Sequence, residues 1–330
     1  MVIFITGSTG FIGQHLVRAL FSQGHEIYCL TRTIQKYQEL ALPGKILLGN
    51  LDLNNHWSWF DKLPPHLDAV IHVAGVIHSY NSNDFYSFNT LSSNHLITLL
   101  SKKYNRLHYI YISSLAALGP DHPTQPTELT FPQPISQYGQ SKLRAENYVI
   151  QVLPKNWTYT IIRPPMVIGP GDKAVLDIFK MVKKGIVIGA GSQIKNKRYS
   201  FINVYDLIEA IIHVTVNKTK PNQIYLVSHP ETFTLNELVN TINDICFNKK
   251  INSLFIPNLM LKALSHIFRM INSLYKINIR LTPDKYLEIS ANTWVCDGSK
   301  IEKMTQFIYS RDLQQTIIET AKDYKSRHWI

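Results

Sequence analysis

A tyrosine and a lysine four residues apart, Tyr138 and Lys142, are the pair in this sequence best suited to proton transfer. On a helix this spacing places both side chains on one face, one turn apart. A free tyrosine, with a pKa of about 10, is a poor acid or base at neutral pH, but a neighbouring ammonium lowers that pKa. The pair therefore predicts a tyrosine that acts as a general acid or base, although the same spacing also arises by chance in a chain with 17 tyrosines.

A serine pair, Ser113 and Ser114, lies between that tyrosine and the N-terminus, at the end of an apolar run that predicts a strand. In open α/β sheets, ligands bind at the carboxyl ends of the strands. We therefore expect Ser114 to present its hydroxyl to a substrate carbonyl.

Three glycines at intervals of three follow the first apolar run and precede a predicted helix. Glycine there allows a tight turn and lets backbone N–H groups approach a pyrophosphate at the positive end of the helix. The spacing is GxxGxxG, not the commoner GxGxxG, so the prediction of a dinucleotide-binding loop rests on the strand–turn–helix placement. The candidate cofactor contacts of this loop are Gly7, Thr9, Gly10, Phe11, Ile12 and Gly13.

The end of the second predicted strand bears on the type of dinucleotide. NAD-preferring sites carry an acidic residue there for the ribose 2′-hydroxyl, whereas this chain has Thr31 followed by Arg32. A guanidinium can bind a 2′-phosphate, so the sequence favours NADP(H), with NAD(H) as the second choice. The alternative is that Arg32 is a solvated loop residue that contacts no cofactor. Asp52, followed by Leu53 after the third strand, is a candidate partner of the adenine amino group, although an aspartate there is also a common turn residue.

The elements that must position these residues alternate along the first half of the chain. Short apolar runs at 2–6, 26–31, 45–48, 69–73, 107–112 and 158–162 predict strands, and amphipathic stretches at 11–22, 83–103 and 135–151 predict helices. This rhythm predicts an α/β fold with a doubly wound parallel sheet. The proline-rich segment 119–134 predicts a surface loop just before Tyr138.

The second half is less regular. Residues 185–191 are rich in glycine and predict a turn, 199–217 predict a strand that runs into a helix, and Thr234 with Glu237 predicts a capping box. Residues 257–274 form an amphipathic stretch with Met260, Leu264, Ile267, Phe268, Ile271 and Leu274 on one side. We expect this side to pack against the protein's own core, with a membrane-surface or substrate-facing role as the alternative.

Composition narrows the class of protein. The formal net charge of +11 is compatible with three kinds of binding partner: nucleic acid, an anionic membrane surface or phosphorylated ligands. The basic residues are dispersed and no nucleic-acid-binding motif accompanies them, so we expect a small-molecule substrate and no nucleic-acid partner.

The sequence shows no signal peptide, no apolar run of roughly 18 residues and no CxxC spacing among Cys29, Cys246 and Cys296. It therefore predicts a cytoplasmic protein with neither a transmembrane segment nor a metal site.

The motifs together resemble the extended short-chain dehydrogenase/reductase family, of the NAD-dependent epimerase/dehydratase type, over nearly the full length. Residues 6–13 are similar to its TGxxGxxG motif, 71–75 to the segment after its fourth strand, 163–171 to its RPxxVxGPG segment and 201–206 to its "fihVdD" stretch. Asn89, Ser114 and the Tyr138/Lys142 pair match its helix asparagine, serine and YxxxK motif.

The resemblance implies how the site works. Tyr138 would exchange a proton with the substrate oxygen, Lys142 would bind the nicotinamide ribose and lower the tyrosine pKa, and Ser114 would orient the carbonyl. It also implies a Rossmann cofactor domain at 1–165, to which 199–216 returns, and a smaller C-terminal α/β substrate-binding lobe at 166–330. The cofactor contacts implied beyond the glycine loop are Val73, Ala74, Gly75, Asn89, Tyr138, Lys142 and Pro165.

Departures within the family narrow the reaction. No acid follows Ser114 where family dehydratases and decarboxylases carry one, which leaves carbonyl reduction, alcohol oxidation or epimerisation. Tyr199 stands where sugar-nucleotide enzymes place an arginine, with Arg198 one step upstream, and this disfavours a sugar nucleotide. The tail and the 257–274 stretch are similar to the dihydroflavonol-reductase and 3β-hydroxysteroid-dehydrogenase branch, which implies a hydrophobic ketone or secondary alcohol.

Three hypotheses remain. The first is an NADP(H)-preferring oxidoreductase of a hydrophobic carbonyl/alcohol pair, and the second is a sugar-nucleotide epimerase that retains its NAD. The third, a non-catalytic NADP(H)-binding sensor, is disfavoured by the presence of Ser114, Tyr138 and Lys142. By analogy with the family we also expect a homodimer through helices that correspond to 83–103 and 136–151.

Overall fold

The computed structural model describes residues 1–52, 57–79, 81–190, 197–217, 220–275, 279 and 281–330. In chain order the strands are β1 (Val2–Thr6), β2 (Glu26–Thr31), β3 (Lys45–Leu48), β4 (Ala69–His72), β5 (His108–Ile112), β6 (Thr158–Arg163), β7 (Met166–Ile168), β8 (Ile186–Ala190), β9 (Arg198–Asn203), β10 (Gln223–Leu226), β11 (Thr232–Thr234), β12 (Asn252–Ile256) and β13 (Thr293–Trp294).

The α-helices are α1 (Phe11–Ser22), α2 (Ile34–Glu39), α3 (Ser82–Phe85), α4 (Ser92–Ser101), α5 (Gln137–Val152), α6 (Leu176–Lys183), α7 (Val204–Val216), α8 (Leu235–Cys246), α9 (Asn258–Tyr275), α10 (Pro283–Ser290), α11 (Ser299–Thr305) and α12 (Leu313–Ser326). A π-helical segment covers Tyr86–Leu91, and a 3₁₀ turn covers Leu115–Ala117.

The main sheet has seven strands in the order β10-β6-β5-β4-β1-β2-β3, and each pairing is parallel. The six strands predicted from the first half are confirmed to within one residue at each end. The strand order reverses at β1, whose neighbours are β2 and β4, and in such sheets this reversal opens a crevice for a ligand at the carboxyl ends of the strands.

Apolar side chains cover both faces of this sheet. On one face, Leu16 and Leu20 of α1 and Ile211 of α7 belong to one buried cluster with side chains of β1 and β4. On the other face, Leu96 of α4 and Val149 of α5 belong to a second cluster. The predicted doubly wound α/β fold is therefore confirmed.

The second half of the chain both returns to this sheet and builds a smaller unit. Helix α7 packs on α1, and β10 extends the main sheet beside β6. Strands β7, β11 and β13 all pair with β9, and a third apolar cluster lies among α6, α8, α12 and β9. The predicted strand-to-helix passage at 199–217 and the capping box at Thr234 are confirmed, and the division at residue 165 stays a prediction.

The predicted continuous helix at 83–103 is interrupted. It divides into α3, the π-helical segment and α4. The Ser92 hydroxyl donates to the Ser87 carbonyl five residues earlier, and the Ser93 hydroxyl donates to the Asn89 carbonyl. Such wide turns are rare and often lie at functional sites, and this one contains Asn89.

The prediction of a turn at 185–191 is wrong for residues 186–190. They form β8, which pairs in parallel with β12. Ile186, Val187 and Ile188 are β-branched and favour a strand. A turn does precede them at Gly185, whose φ is +73°, and residue 191 lies outside the described residues.

The amphipathic stretch at 257–274 forms α9, but its apolar side is only partly covered. Leu261 is buried, and Leu264, Phe268 and Ile271 are half-buried. Met260, Ile267 and Leu274, also predicted to face the core, are 51%, 50% and 72% exposed. The expectation of core packing therefore holds for one edge of the apolar side and is wrong for the other.

Candidate active site

The glycine loop passes from β1 to α1 at the reversal point of the sheet. Gly7 has φ +71°, and a β-carbon there would lie 2.7 Å from the Ala74 nitrogen, so no larger residue fits. Gly10 donates its N–H to the Gly7 carbonyl (2.9 Å) and is exposed just before α1 begins. This arrangement presents the start of α1 to the crevice, where the positive end of the helix suits a pyrophosphate. The other contacts predicted from the loop, Thr9, Phe11, Ile12 and Gly13, lie in or next to the first turn of α1.

The opposite wall of the crevice is the segment after β4. The Ala74 N–H donates to Thr6 Oγ1 (3.3 Å), and this hydroxyl lies 2.6 Å from His72 Nδ1. His72 is buried and its Nε2 lies 2.9 Å from Ser93 Oγ. Burial, helped by the charge of Lys142, lowers the pKa of His72 to about 3, so the imidazole is neutral and serves as a rigid link between β1, β4 and α4.

Asn89 ties this wall to the helix that carries the YxxxK pair. Its amide accepts from Val76 N (2.7 Å), donates to the Val76 carbonyl (3.0 Å) and donates to Ser141 Oγ (3.0 Å). All of these bonds join protein groups, so Asn89 fixes the course of the segment 73–76. Of the predicted cofactor contacts there, Val73 and Ala74 are half-buried and Gly75 is exposed.

The predicted adenosine-end residues lie at the ends of β2 and β3. Arg32 is exposed after the buried Thr31, whose hydroxyl donates to the Thr33 carbonyl (3.0 Å). Asp52 is half-buried, and its N–H donates to Asn50 Oδ1 (3.1 Å). Leu53, the neighbouring candidate, lies outside the described residues.

Ser114, Tyr138 and Lys142 come together at the carboxyl end of β5. Ser114 is the N-cap of the 3₁₀ turn that follows β5, where its Oγ accepts from Ala116 N (3.1 Å). Tyr138 and Lys142 lie in the first two turns of α5. Helix α5 approaches the turn so closely that a β-carbon at Gly139 would collide with the Ala116 carbonyl. This approach brings the Ser114 side chain within hydrogen-bonding reach of the Tyr138 phenol.

Lys142 is only 4% exposed. Its Nζ donates to the Ile112 carbonyl (2.7 Å) and to the Tyr111 hydroxyl (3.3 Å), and it lies 4.8 Å from the centroid of the Tyr111 ring. Burial lowers the pKa of this ammonium to about 8, although the nearby Glu146 carboxylate raises it. A β-carbon at Gly75 would lie 3.4 Å from Nζ, so the ammonium borders the cofactor crevice.

Tyr138 differs from the expectation of a lowered pKa. Burial raises its pKa to about 12, the Ser114 hydrogen bond opposes the increase, and the Glu288 carboxylate adds to it. Because Lys142 is directed to Ile112 and Tyr111, its ammonium is not among the groups that lower the pKa of Tyr138 in this conformation. The phenol is therefore protonated at neutral pH.

A buried ion pair that was not predicted from the sequence lies next to Ser114, Tyr138 and Lys142. The Arg163 guanidinium binds the Glu146 carboxylate at 2.6 Å, with side chains 3% and 1% exposed, and the Ser113 hydroxyl donates to the same carboxylate. Glu146 follows Lys142 by four residues, so the spacing Tyr138–Lys142–Glu146 on one helix face was a usable signal.

Helix α10 covers the site, which the sequence did not predict. Two backbone N–H groups at the start of α5, those of Gln137 (2.6 Å) and Tyr138 (3.4 Å), donate to the Asp284 carboxylate of α10. The Ser136 hydroxyl donates to Glu288 Oε1 (2.9 Å). Burial raises the pKa of Asp284. These bonds hold helix α10 across Tyr138.

The cavity between Tyr138 and α10 has a volume of about 10 Å³, room for about one water molecule. Its walls include Ile77 and Phe85 on one side and Thr282, Asp284, Lys285 and Glu288 on the other. With α10 in this position, the cavity therefore has no room for a larger substrate.

Two further predicted positions lie near the second unit. Pro165, between β6 and β7, is half-buried, and the preceding Pro164 carbonyl accepts from Leu115 N (2.8 Å), next to Ser114. Arg198 is exposed and binds the side chain (2.9 Å) and carbonyl (3.1 Å) of Thr232, while Tyr199 packs on Phe233.

The described part of the chain contains no helix long and apolar enough to cross a membrane. Within the same residues, no group of three or more His, Cys, Asp or Glu side chains is arranged to hold a metal ion.

Comparison with known proteins identifies the family and relatives of differing activity. The model of the NAD dependent epimerase/dehydratase family matches residues 3–228. The ceramide reductase of Caulobacter vibrioides is 29% identical over 212 residues, which cover 64% of this chain and 60% of that protein. The UDP-glucose 4-epimerase of Vibrio cholerae is 26% identical over 282 residues, which cover 81% of this chain and 82% of that protein.

The fold also matches solved structures. The UDP-glucuronic acid 4-epimerase from Bacillus cereus, in complex with UDP-glucuronic acid and NAD, superposes with a TM-score of 0.76 at 19% identity. The superposition covers 99% of this chain and 100% of that one. At this identity the likeness supports the fold alone.

Proposed function

Because the chain belongs to the NAD dependent epimerase/dehydratase family, whose members are NAD(P)-dependent enzymes, we propose that it transfers a hydride between a nicotinamide cofactor and a ketone or secondary alcohol of hydrophobic character. The observation that carries the proposal is the meeting of Ser114, Tyr138 and Lys142 beside the glycine loop. When bound, the cofactor supplies or accepts the hydride.

The three side chains divide the remaining work. In the direction of reduction, the carbonyl carbon gains the hydride while the Tyr138 hydroxyl gives its proton to the carbonyl oxygen. The pKa of about 12 keeps that proton on the phenol at neutral pH. Ser114 orients the carbonyl oxygen, and Lys142 at the edge of the crevice binds ribose hydroxyls.

The cofactor site fits a dinucleotide phosphate at two points. The loop 7–13 exposes Gly10 and the start of α1 to the pyrophosphate. At the end of β2, the exposed Arg32 favours a 2′-phosphate and hence NADP(H) over NAD(H). We assign the adenine contacts to Asp52 and Leu53, and the nicotinamide-side contacts to 73–75 and Pro165.

Several observations support a hydrophobic substrate. Ile77 and Phe85 form the wall nearest the tyrosine. Asp284, Glu288 and Lys285 line the other wall, where Lys285 pairs with Glu288 (2.8 Å) and Asp284 leaves a net negative charge that disfavours a diphosphate. Arg198, the basic residue nearest the family's diphosphate position, is committed to Thr232. The similarity to a ceramide reductase agrees with this substrate class.

A sugar-nucleotide epimerase is the second candidate. The match to a UDP-glucose 4-epimerase over 81% of the chain favours it, and the carboxylates of Asp284 and Glu288 can accept hydrogen bonds from sugar hydroxyls. In that reaction Tyr138 would return the proton that it first removes, with no net consumption of cofactor.

The decisive experiment follows the absorbance of reduced nicotinamide with the purified protein. We expect NADPH to be consumed with long-chain and polycyclic ketones, and UDP-sugars to leave its absorbance unchanged. Tyr138→Phe should abolish the consumption, whereas Tyr86→Phe on the exposed side of the same region should leave it intact. Conversion of a UDP-sugar to its 4-epimer without cofactor consumption would replace the first proposal by the second, and activity retained in Tyr138→Phe would overturn both.

The location, oligomeric state and domain division of the enzyme are also proposals. We expect a cytoplasmic protein that acts on small molecules, not on nucleic acid. A homodimer through α4 and α5 is supported by apolar and aromatic side chains exposed on that side, among them Phe88 (39%) and Ile150 (43%). We further propose the division into a cofactor domain at 1–165 and a substrate lobe at 166–330.

A further inference from the structure

Helix α9 carries its apolar side chains outward. Leu259, Met260, Ile267, Met270 and Leu274 are each half exposed or more, up to 81% for Leu259. Their spacing along the helix places them on one continuous side. Scattered apolar residues on a surface are ordinary, but a contiguous stripe marks a surface that binds something.

The outward direction of this stripe is fixed by polar contacts on the opposite edge. Ser265 and Asn272 are completely buried. The Asn272 amide donates to the Ile279 carbonyl (3.0 Å) and accepts from the Ile279 N–H (2.9 Å), which anchors the end of α9. A rotation that buried the stripe would break these bonds and expose Leu261, so the helix cannot cover its apolar side by turning.

The strand pair that precedes α9 in the chain also carries exposed apolar side chains. In the pair formed by β8 and β12, Leu254 lies opposite Ile188 and both are about half exposed, at 55% and 48%. Ile186, two residues before Ile188 and therefore on the same side, is 44% exposed. Strand β12 ends only two residues before α9 begins.

The charged residues in this segment of the sequence have a single sign. Between Asp244 and Asp284 the sequence contains six lysines and arginines and no aspartate or glutamate. Lys262 and Arg269 are exposed on α9 beside the apolar stripe. An amphipathic helix with a basic flank binds the interface of an anionic bilayer through apolar burial and electrostatic attraction together.

We propose that the outer side of α9 is a docking surface for an anionic lipid bilayer. A symmetric pairing through α9 would supply no opposite charge to Lys262 and Arg269, because α9 contains no aspartate or glutamate, whereas anionic headgroups supply it. Helix α10, which covers Tyr138, packs on α9, so the docked helix would adjoin the cover of the candidate active site. The proposal goes beyond the enzymatic function and does not depend on the substrate.

The test is co-sedimentation of the full chain with vesicles of phosphatidylcholine, with and without phosphatidylglycerol. We expect binding to the phosphatidylglycerol vesicles that weakens as salt is raised. Lys262→Gln with Arg269→Gln should weaken the partition coefficient roughly 30-fold, and Ile267→Ser with Leu274→Ser at least about tenfold. A matched control is Ile308→Ser, because Ile308 is 71% exposed and lies far along the chain from α9.

The outcomes separate the possible occupants of the surface. Absence of binding to the phosphatidylglycerol vesicles, or equal loss in Ile308→Ser, would overturn the proposal. A wild-type dimer in sedimentation velocity that Ile267→Ser with Leu274→Ser dissociates, without vesicle binding, would identify a second copy as the occupant and would also overturn it. An unchanged melting temperature and unchanged NADPH binding confirm that the variants are folded.

Discussion

The buried Lys142 should lower the stability of the protein, and the variant Lys142→Met tests this effect. Lys142 is 4% exposed, and burial lowers the pKa of its ammonium from 10.5 to about 8. Below that pH, folding must carry a protonated ammonium into a site that favours the neutral amine. Methionine has a similar length, no charge and a flexible side chain, so it can fill the space without this penalty.

The magnitude follows from the pKa difference. One pKa unit corresponds to about 1.4 kcal/mol, so the lowered pKa of Lys142 represents about 3 kcal/mol near neutral pH. The variant loses the bonds to the Ile112 carbonyl and the Tyr111 hydroxyl, which offsets about 1 kcal/mol. We therefore expect Lys142→Met to be inactive and yet to have a free energy of unfolding about 2 kcal/mol higher.

The pKa difference also predicts how the stability difference between the wild type and Lys142→Met changes with pH. Between about pH 8 and pH 10.5 the unfolded chain keeps the proton on Lys142 while the folded chain has released it. The unfolded state then binds more protons, so the stability of the wild type rises with pH relative to the variant. The advantage of Lys142→Met should therefore be complete below about pH 8 and should disappear as the pH approaches 10.5.

Urea unfolding of both proteins at several pH values measures this difference, and other titrating groups cancel because both chains share them. Lys36→Met removes an ammonium that is exposed on α2 and should show no such pH-dependent difference. A constant difference between wild type and Lys142→Met from about pH 7 to pH 10 would refute the assigned cost of burial.

Two further predictions concern the support of the site and the choice of cofactor. Glu146→Gln leaves the Arg163 guanidinium buried without its counter-charge and should lower the free energy of unfolding by about 3–5 kcal/mol. The control Glu209→Gln changes a side chain that is 50% exposed and should lower it by less than about 1 kcal/mol. Similar losses for the two variants in urea unfolding would contradict the role of the buried pair. Arg32→Asp should reverse the preference for NADP(H) in titrations of both cofactors, Lys36→Asp should not, and an unchanged ratio of dissociation constants would show that Arg32 does not meet the 2′-phosphate.

The parts of the molecule that the sequence predicted well depend on local pattern. Helix α1 has the predicted bounds, Phe11–Ser22, because a glycine turn precedes it and an apolar stripe continues through it. The position of Ser114 was predictable because ligands bind at the carboxyl ends of parallel strands, whereas its meeting with Tyr138 was implied only by the resemblance to the family. The pKa of Tyr138 was not predictable, since it depends on burial and on Glu288, which is 150 residues further along the chain.

The sequence indicates that α10 and α9 are helices, but it does not indicate that α10 covers the site or that one side of α9 is exposed. Thr282 followed by a proline is a clear helix start, but nothing local says that Asp284 binds the N–H groups of Gln137 and Tyr138. The 3.6-residue period reveals an apolar side without revealing what covers it, because a core and a lipid interface select the same pattern. The distinction came from Asn272, whose buried bonds to Ile279 fix the rotation of the helix. A buried polar anchor opposite an exposed apolar stripe is therefore stronger evidence for an external partner than the hydrophobic pattern alone.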